Sequence, residues 1–370
     1  MSAAAKSTKA KTRNEEAKFL ERFEKTFGAG TIQKAKNPNP YEVLSTGSLS
    51  LDYALGVGGY VEGRLIEIWG PEGVGKTTLS LMAVAEAQRK HPDKKVAWID
   101  MEQVWDDNWA EQHGVDLDRV YLFVPTSAED VADAVKEFIN SGLFSLVVLD
   151  SVGAMIPEAE KEKDADEATV AIQAKIVTRM VKIAAVAARQ NQCSFIIINQ
   201  VRAQISFRGG TTTGGGYALK HASSFKLKLA RTGTTPFQAT IDGEKRTVGH
   251  EIKIKVERNK VAPAYREATL VMFNQPSKYG PVGIDKVDEA VTVGLKTGII
   301  QGHGAWFDVP GISERLNGRQ AIVDALRENP EALEEVRAEV LKTREHEIVL
   351  DDLEDEDAPM VTPDGEIYEA

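Results

Sequence analysis

The eight residues GPEGVGKT, 70–77, constrain this chain more than any other stretch of it. They fit G-x-x-x-x-G-K-[ST], and the context fits too: the apolar run RLIEIW leads in, and a helical pattern leads out. A strand, a glycine turn and a helix in that order aim backbone N–H groups and a helix N-terminus at one point, where phosphate oxygens are attracted. Gly70, Pro71, Glu72, Gly73, Val74 and Gly75 form the turn, Lys76 brings a point charge to the β and γ phosphates, and Thr77 has a hydroxyl to set on Mg²⁺. ATP and Mg²⁺ are the cofactors expected.

Such a turn belongs to a parallel sheet, and the flanking sequence supplies one. RLIEIWG, KVAWIDM, VYLFV, FSLVVLD and SFIIINQ are apolar on both faces and are separated by helical patterns around 77–90, 127–140 and 170–190. That alternation predicts an α/β fold, a mostly parallel sheet covered by helices. Three later runs, FKLKLAR, HEIKIKVERNK and REATLVMF, alternate apolar with polar and have no helix between them, so they are expected to extend the sheet in antiparallel fashion. The core so defined spans 41–274. A small arm (1–40) precedes it, with a helix over 15–27 that lines up Phe19, Leu20, Phe23 and Phe27, ends at Gly28 and leads to the extended stretch GTIQKA. A smaller α/β unit is expected over 275–344, then an acidic disordered tail over 345–370.

Open parallel sheets bind ligands at the carboxyl ends of their strands. Asp150 ends LVVLD, where it can serve as a magnesium partner through water or as a helix cap. Glu102 follows KVAWID, at the mouth of the same cleft, and can orient or deprotonate a water attacking the γ-phosphate. Trp109, four residues after Trp105, either stacks on adenine or packs.

The net charge of −11 argues against nucleic acid until its distribution is considered. Residues 345–370 hold eleven Asp and Glu and no Lys or Arg, so the rest of the chain carries 45 basic and 45 acidic groups and is neutral. The tail is a solubiliser or an electrostatic competitor for a DNA-binding surface. One cysteine, Cys193, excludes an internal disulfide, and six scattered histidines offer no metal-ligand spacing. With no apolar run of about 18 residues and no secretory-type N-terminus, the expected location is cytoplasmic, away from membranes.

The stretch TGSLSLDYALGVGGYVEGRLIEIWGPEGVGKTTL, the VVLDSV segment, INQVR with TTTGGG beyond it, and HGAWF (303–307) together closely resemble the bacterial RecA recombinases, in the same order over about 15–340. The resemblance implies an ATP-dependent homologous recombination protein that polymerises on single-stranded DNA and catalyses pairing and strand exchange in DNA repair. Lys76, Thr77 and Thr78 would hold phosphates and magnesium, with Asp150 as the strand-end aspartate and Glu102 as the water-activating residue. Asp106 and Trp109 fall at the adenine, and Gln200 at the sensor of the γ-phosphate. Arg258 and Lys260 fall where cations reach the nucleotide of the neighbouring subunit.

Residues 163–171 and 201–216 match two DNA-contacting loops, and the N-terminal arm matches the segment that docks on the next subunit. On that basis Val170, Lys175, Thr178 and Lys182 contact DNA from the first loop and its helix. In the second, Arg202 and Arg208 meet phosphates, Ile205 or Phe207 wedges between bases, and Thr213, Gly214, Gly215 and Gly216 line the backbone. Lys278, Lys286 and Lys296 are candidates for gathering duplex DNA. The chain departs from the family pattern at Gln103, Trp109, Lys175, Tyr217, His221 and Arg258, and most in the charged, glycine-free segment EKEKDADEATVAI. A divergent lineage, a viral one included, would show such drift. A related ring helicase or DNA-repair ATPase is the alternative, and a scaffold whose filament stimulates another protein's self-cleavage is a third.

Overall fold

The computed structural model describes residues 3–28, 32, 41–158, 167–203, 211–213, 216–233, 236–241, 243–276 and 280–350. Residues 1–41 form one compact unit and 42–370 another.

The first unit is helix α1, Ala3–Phe27. It begins twelve residues before the predicted start, because AAAKSTKAK has no glycine or proline to stop a helix and alanine and lysine favour one. Phe19, Phe23 and Phe27 stack along one face, with ring centroids 5.7 and 4.5 Å apart, and Phe19 and Phe27 are exposed. Gly28 closes the helix in the left-handed region (φ 100°), its N–H donating to Glu24 O. Apart from Ile32, the extended stretch expected next lies outside the described residues.

The second unit opens with β1 (Val43–Leu44), α2 (Leu49–Ala54), β2 (Tyr60–Val61) and β3 (Leu65–Gly70), then α3 (Lys76–Lys90), β4 (Lys95–Asp100), α4 (Asp107–Gln112) and β5 (Val120–Phe123). There follow α5 (Ala128–Asn140), β6 (Phe144–Asp150), α6 (Glu167–Asn191), β7 (Ser194–Ala203), β8 (Thr211–Thr213) and α7 (Gly216–Ala222). Strands β9 (Phe225–Arg231), β10 (Phe237–Ile241), β11 (Glu244–Asn259) and β12 (Glu267–Phe273) complete the main sheet. Its order is β10-β11-β9-β3-β7-β6-β4-β5, with β12 on β11 and β8 on β7.

From β9 to β5 every pairing is parallel. The first of the three later runs was expected to be antiparallel, and β9 is parallel to β3 instead. The reason is α7, which intervenes as a short crossover and brings the chain back in the same direction. Antiparallel pairing begins at β11. The hairpin partner β10 was not anticipated: FQATI alternates apolar with polar as a strand does, but the run is only five residues long.

Strand alternation divides the core. Ile66, Ile68, Val96, Trp98, Leu146, Val148, Ile196 and Ile198 point to the face covered by α3. Ala97, Ile99, Val147, Leu149, Phe195 and Ile197 point to the face covered by α5, α6 and α7. Both sides of each central strand are buried, as the unbroken apolar runs required. Ile196 is fully buried, and truncating it to alanine should cost about 2–5 kcal/mol.

Beyond β12 lie α8 (Lys286–Lys296), the small sheet β13 (Gln301–His303), β14 (Trp306–Asp308) and β15 (Leu316–Asn317), then α9 (Gly318–Glu328) and α10 (Pro330–Leu350). They surround a third cluster that also takes in Leu49 of α2. Glu289 of α8 is buried and accepts hydrogen bonds from Leu49 N, 2.9 Å, Ser50 N, 3.1 Å, and the Ser48 hydroxyl, so it satisfies the open N-terminus of α2. Lys286, one of the cations proposed for duplex DNA, is engaged with buried Glu86, 3.1 Å away. Lys296 is exposed, and Lys278 lies outside the described residues. Helix α10 runs six residues into the acidic segment, and 351–370 are not described.

Candidate active site

Strand β3 delivers the phosphate loop to α3. Gly73 and Gly75 both have positive φ, 64° and 99°, and a Cβ on Gly75 would meet Met272 Sδ at 2.5 Å, so the loop demands glycine there. Lys76 is 8 % exposed and folds back to donate to Gly70 O, 3.1 Å, and Pro71 O, 2.8 Å. Burial lowers its pKa, while Asp150, Glu102 and Glu72 oppose that shift.

Three neighbouring strand ends converge on the loop. Thr77 Oγ1 donates to Asp150 Oδ2, 2.8 Å. Burial pushes the Asp150 carboxyl up to about 6, countered by the Thr77 hydrogen bond and reinforced by nearby Glu102 and Asp100. Ser151 follows through a cis peptide, and its hydroxyl donates to Glu102 Oε1, 2.6 Å. Gln200, from β7, donates its Nε2 to the same oxygen, 2.7 Å. Lys76, Thr77, Asp150, Glu102 and Gln200 are thus brought together.

Sequence reasoning missed the group that shapes the Glu102 loop. Asp100, at the end of β4, accepts the backbone N–H groups of Glu102 (3.2 Å), Gln103 (2.9 Å) and Trp105 (2.9 Å), with Gln103 held at φ 57°. Its position one strand over from Asp150, at the same height, was a readable signal.

The phosphate loop opens into a cleft of ≈ 560 Å³ lined by Gly73, Gly75, Lys76, Thr77, Thr78 and Trp109, and by a wall of Arg231, Thr232, Pro236, Thr247, His250, Met272, Phe273 and Asn274. Trp109 is in the lining and also packs, its ring 4.6 Å from His113, whose Nδ1–H donates to Trp109 O. The packing expected of it is present. Asp106 is the N-cap of α4, accepting from Trp109 N at 2.9 Å, and is not among the residues lining the cleft. The far wall went unread because β11 and β12 reach the cleft only through the antiparallel part of the sheet.

Arg258 and Lys260 are not in that lining either. Lys260 Nζ donates to His221 O, 2.7 Å, and Ala222 O, 3.4 Å, at the end of α7. Burial lowers its pKa, and Arg258 and Arg64 lower it further.

On α6, Lys175 and Lys182 are exposed and Thr178 is half-buried, and Arg179, which the sequence reading omitted, joins them on one surface. Its four-residue spacing from Lys175 could have revealed it. Strands β7 and β8 form the base of the second loop, pairing Arg202 with Thr212 and Val201 with Thr213. Ile205, Phe207, Arg208, Gly214 and Gly215 lie outside the described residues, and of Val170 and Gly216 only the backbone, in α6 and α7, is described. Among the described residues no cluster of three or more His, Cys, Asp or Glu is set to hold a metal, and no helix is long and apolar enough to cross a membrane.

A phosphate loop with an aspartate on its threonine and a glutamate held one strand away defines a P-loop ATPase. Residues 15–276 match the family described as RecA N-terminal domain. The chain is 37% identical over 342 residues to the protein named RecA of Thermus thermophilus, covering 91% of this chain and 96% of that one. It is 36% identical over 324 residues to RecA of Agrobacterium fabrum, covering 86% and 85%. A crystal structure of the RadB recombinase aligns with a TM-score of 0.47 at 23% identity, over 66% of this chain and 100% of that one. The chain belongs to the RecA family, and it is a DNA-dependent ATPase of homologous recombination and DNA repair.

Proposed function

We propose that this ATPase forms a filament on single-stranded DNA, tests the held strand against duplex DNA by base pairing, and uses hydrolysis to release the products. The observation that carries this reading is the 2.7 Å hydrogen bond from Gln200 to Glu102. Gln200 belongs both to the catalytic cluster and to the strand, Ser194–Ala203, that leads into the second loop. A γ-phosphate beside Glu102 competes for the Gln200 amide, so nucleotide state biases the strand that carries Arg202.

In this reading Lys76 exchanges its two loop carbonyls for the β and γ phosphates, a stronger, charge-assisted pairing. Thr77 and Asp150 offer two hard oxygen donors 2.8 Å apart, which suits a cation that takes few protein ligands and completes its shell with phosphate and water. Mg²⁺ bound there supplies charge neutralisation for the triphosphate. Glu102 orients or deprotonates the attacking water, with its carboxylate aimed by Ser151 and Gln200. Trp109 and Asp106 hold the base side, and Thr78 the phosphates. Arg258 and Lys260 act on the nucleotide of a neighbouring copy, which makes turnover depend on assembly.

Single-stranded DNA runs between the α6 surface (Lys175, Thr178, Arg179, Lys182, with Val170 at its start) and the second loop (Arg202, Ile205, Phe207, Arg208, Thr213 and Gly214 to Gly216). The arm docks on the adjacent subunit, the C-terminal unit gathers duplex DNA, and the work is done in the cytoplasm. The test is ATP hydrolysis with and without single-stranded DNA, in wild type and in Arg202→Ala with Phe207→Ala. Strong stimulation in wild type, lost in the variant, is expected. A rate indifferent to DNA in both proteins overturns the reading.

A further inference from the structure

Among the described residues that line the nucleotide cleft, one carboxamide, Asn274, can present a donor and an acceptor side by side to a base edge. Asn274 follows β12 at the cleft wall and is anchored twice to β11: its backbone N–H donates to Val248 O, 2.9 Å, and its side-chain Nδ2 donates to Thr247 O, 3.4 Å. A carbonyl only accepts, so Thr247 fixes which end of the carboxamide is nitrogen. Among the described residues nothing else engages the second Nδ2 hydrogen or Oδ1, which leaves both for a ligand.

On the edge that carries N7, a donor and an acceptor side by side match adenine and not guanine. Adenine offers the N6 amino donor next to the N7 acceptor, whereas guanine presents two acceptors, O6 and N7, on that edge. Against guanine, Oδ1 faces another oxygen. The cleft's guanidinium, Arg231, has the chemistry to favour guanine, but its Nη2 is engaged with Gly73 O of the phosphate loop, 2.9 Å away.

The wall that presents Asn274 is built to stay in place. Phe273 is buried and meets Phe237 of β10 edge to face, with centroids 5.5 Å apart. Gly249 lets the hairpin close on it, since a Cβ there would sit 2.5 Å from the Phe273 ring. His250, on the same wall, has a buried Nε2 without a hydrogen-bond partner among the described residues, and burial lowers its pKa with Arg231 adding to the shift.

We propose that Asn274 selects adenine over guanine in this nucleotide site, an inference that rests on the ATPase reading of the cleft. The test is equilibrium binding of fluorescent ATP and GTP analogues, with magnesium, to the full chain as wild type, Asn274→Ala and Asn274→Asp. Asn274 is exposed, so neither substitution empties the core. Wild type should prefer the adenine nucleotide, and both variants should lose about tenfold of that preference through weaker ATP binding, within the range of a lost bidentate base contact. An ATP-to-GTP ratio unchanged in the variants overturns the assignment while leaving the ATPase reading intact. Failure of wild type to bind either nucleotide, as Lys76→Ala should fail, overturns both.

Discussion

Glu102→Gln separates chemistry from architecture at this site. Glu102 Oε1 accepts two hydrogen bonds, from Ser151 at 2.6 Å and Gln200 at 2.7 Å, and a glutamine keeps an oxygen where that acceptor stands. What changes is the charge. Hydrogen bonds to an ionised acceptor contribute about 1.5–3 kcal/mol against about 1 for neutral ones, so the expected loss of stability is on the order of 1–3 kcal/mol, a few degrees in Tm for a chain of this size. A carboxamide cannot take the proton of an attacking water, and loss of a general base costs roughly 10²–10⁴ in rate. The two consequences therefore differ in scale and in observable. Steady-state hydrolysis on saturating single-stranded DNA should fall at least about a hundredfold, whereas ATP binding, held by Lys76 and Thr77, should persist. Filaments should form and pairing should begin, but strand exchange should stall at product release. A turnover within about tenfold of wild type would remove Glu102 from the mechanism. Full function without hydrolysis would favour the scaffold alternative.

Asp150 ionises near pH 6 in the folded protein because of its burial, and a cation there needs the carboxylate, so Mg²⁺-dependent ATP binding should tighten as pH rises to about 6 and level off above it. Calorimetry across that range should show the slope in wild type and none in Asp150→Asn; equal affinities at both ends in wild type would refute it. Burial holds Asp52 protonated to about pH 7, whereas the unfolded chain ionises near 3.8, so stability should fall by up to about tenfold in the folding constant per pH unit between those values. Asp52→Asn should flatten that part of a denaturant-derived stability curve, and an unchanged slope would show another group to be responsible. Lys175→Ala with Arg179→Ala should reduce the log–log salt slope of single-stranded DNA binding by about 0.7 per lost phosphate contact. An unaltered slope would place the DNA elsewhere. Deleting 345–370 should raise duplex-DNA affinity at low salt, and an unchanged affinity would leave that segment a solubiliser.

What could be read from sequence was whatever a single segment encodes. The phosphate loop, Asp150, Glu102 and Gln200 each sit at or just past the end of an apolar strand, and a parallel sheet gathers such ends without further instruction. The direction of β9 was not readable, because seven residues of helix after a glycine run decide it. The Arg231-to-Asn274 wall was equally hidden. Its residues mix polar and apolar side chains, are spread over more than forty positions, and meet the cleft only because β10, β11 and β12 pair with one another. The α6 stripe was half visible: Lys175, Thr178 and Lys182 came from a resemblance, and helical geometry adds Arg179.

The carboxylate of Glu289 carries a lesson for anyone dissecting this protein. It caps a helix some 240 residues earlier in the chain, and Leu49 of that helix is buried in the C-terminal cluster. A fragment cut after residue 276, where the family match ends, would strip three hydrogen-bond donors of their acceptor and lay a leucine bare. The ATPase core borrows a wall from helices α8 to α10, so mapping activities by truncation would report misfolding as loss of function. Point substitutions on the surface of those helices are the cleaner scalpel.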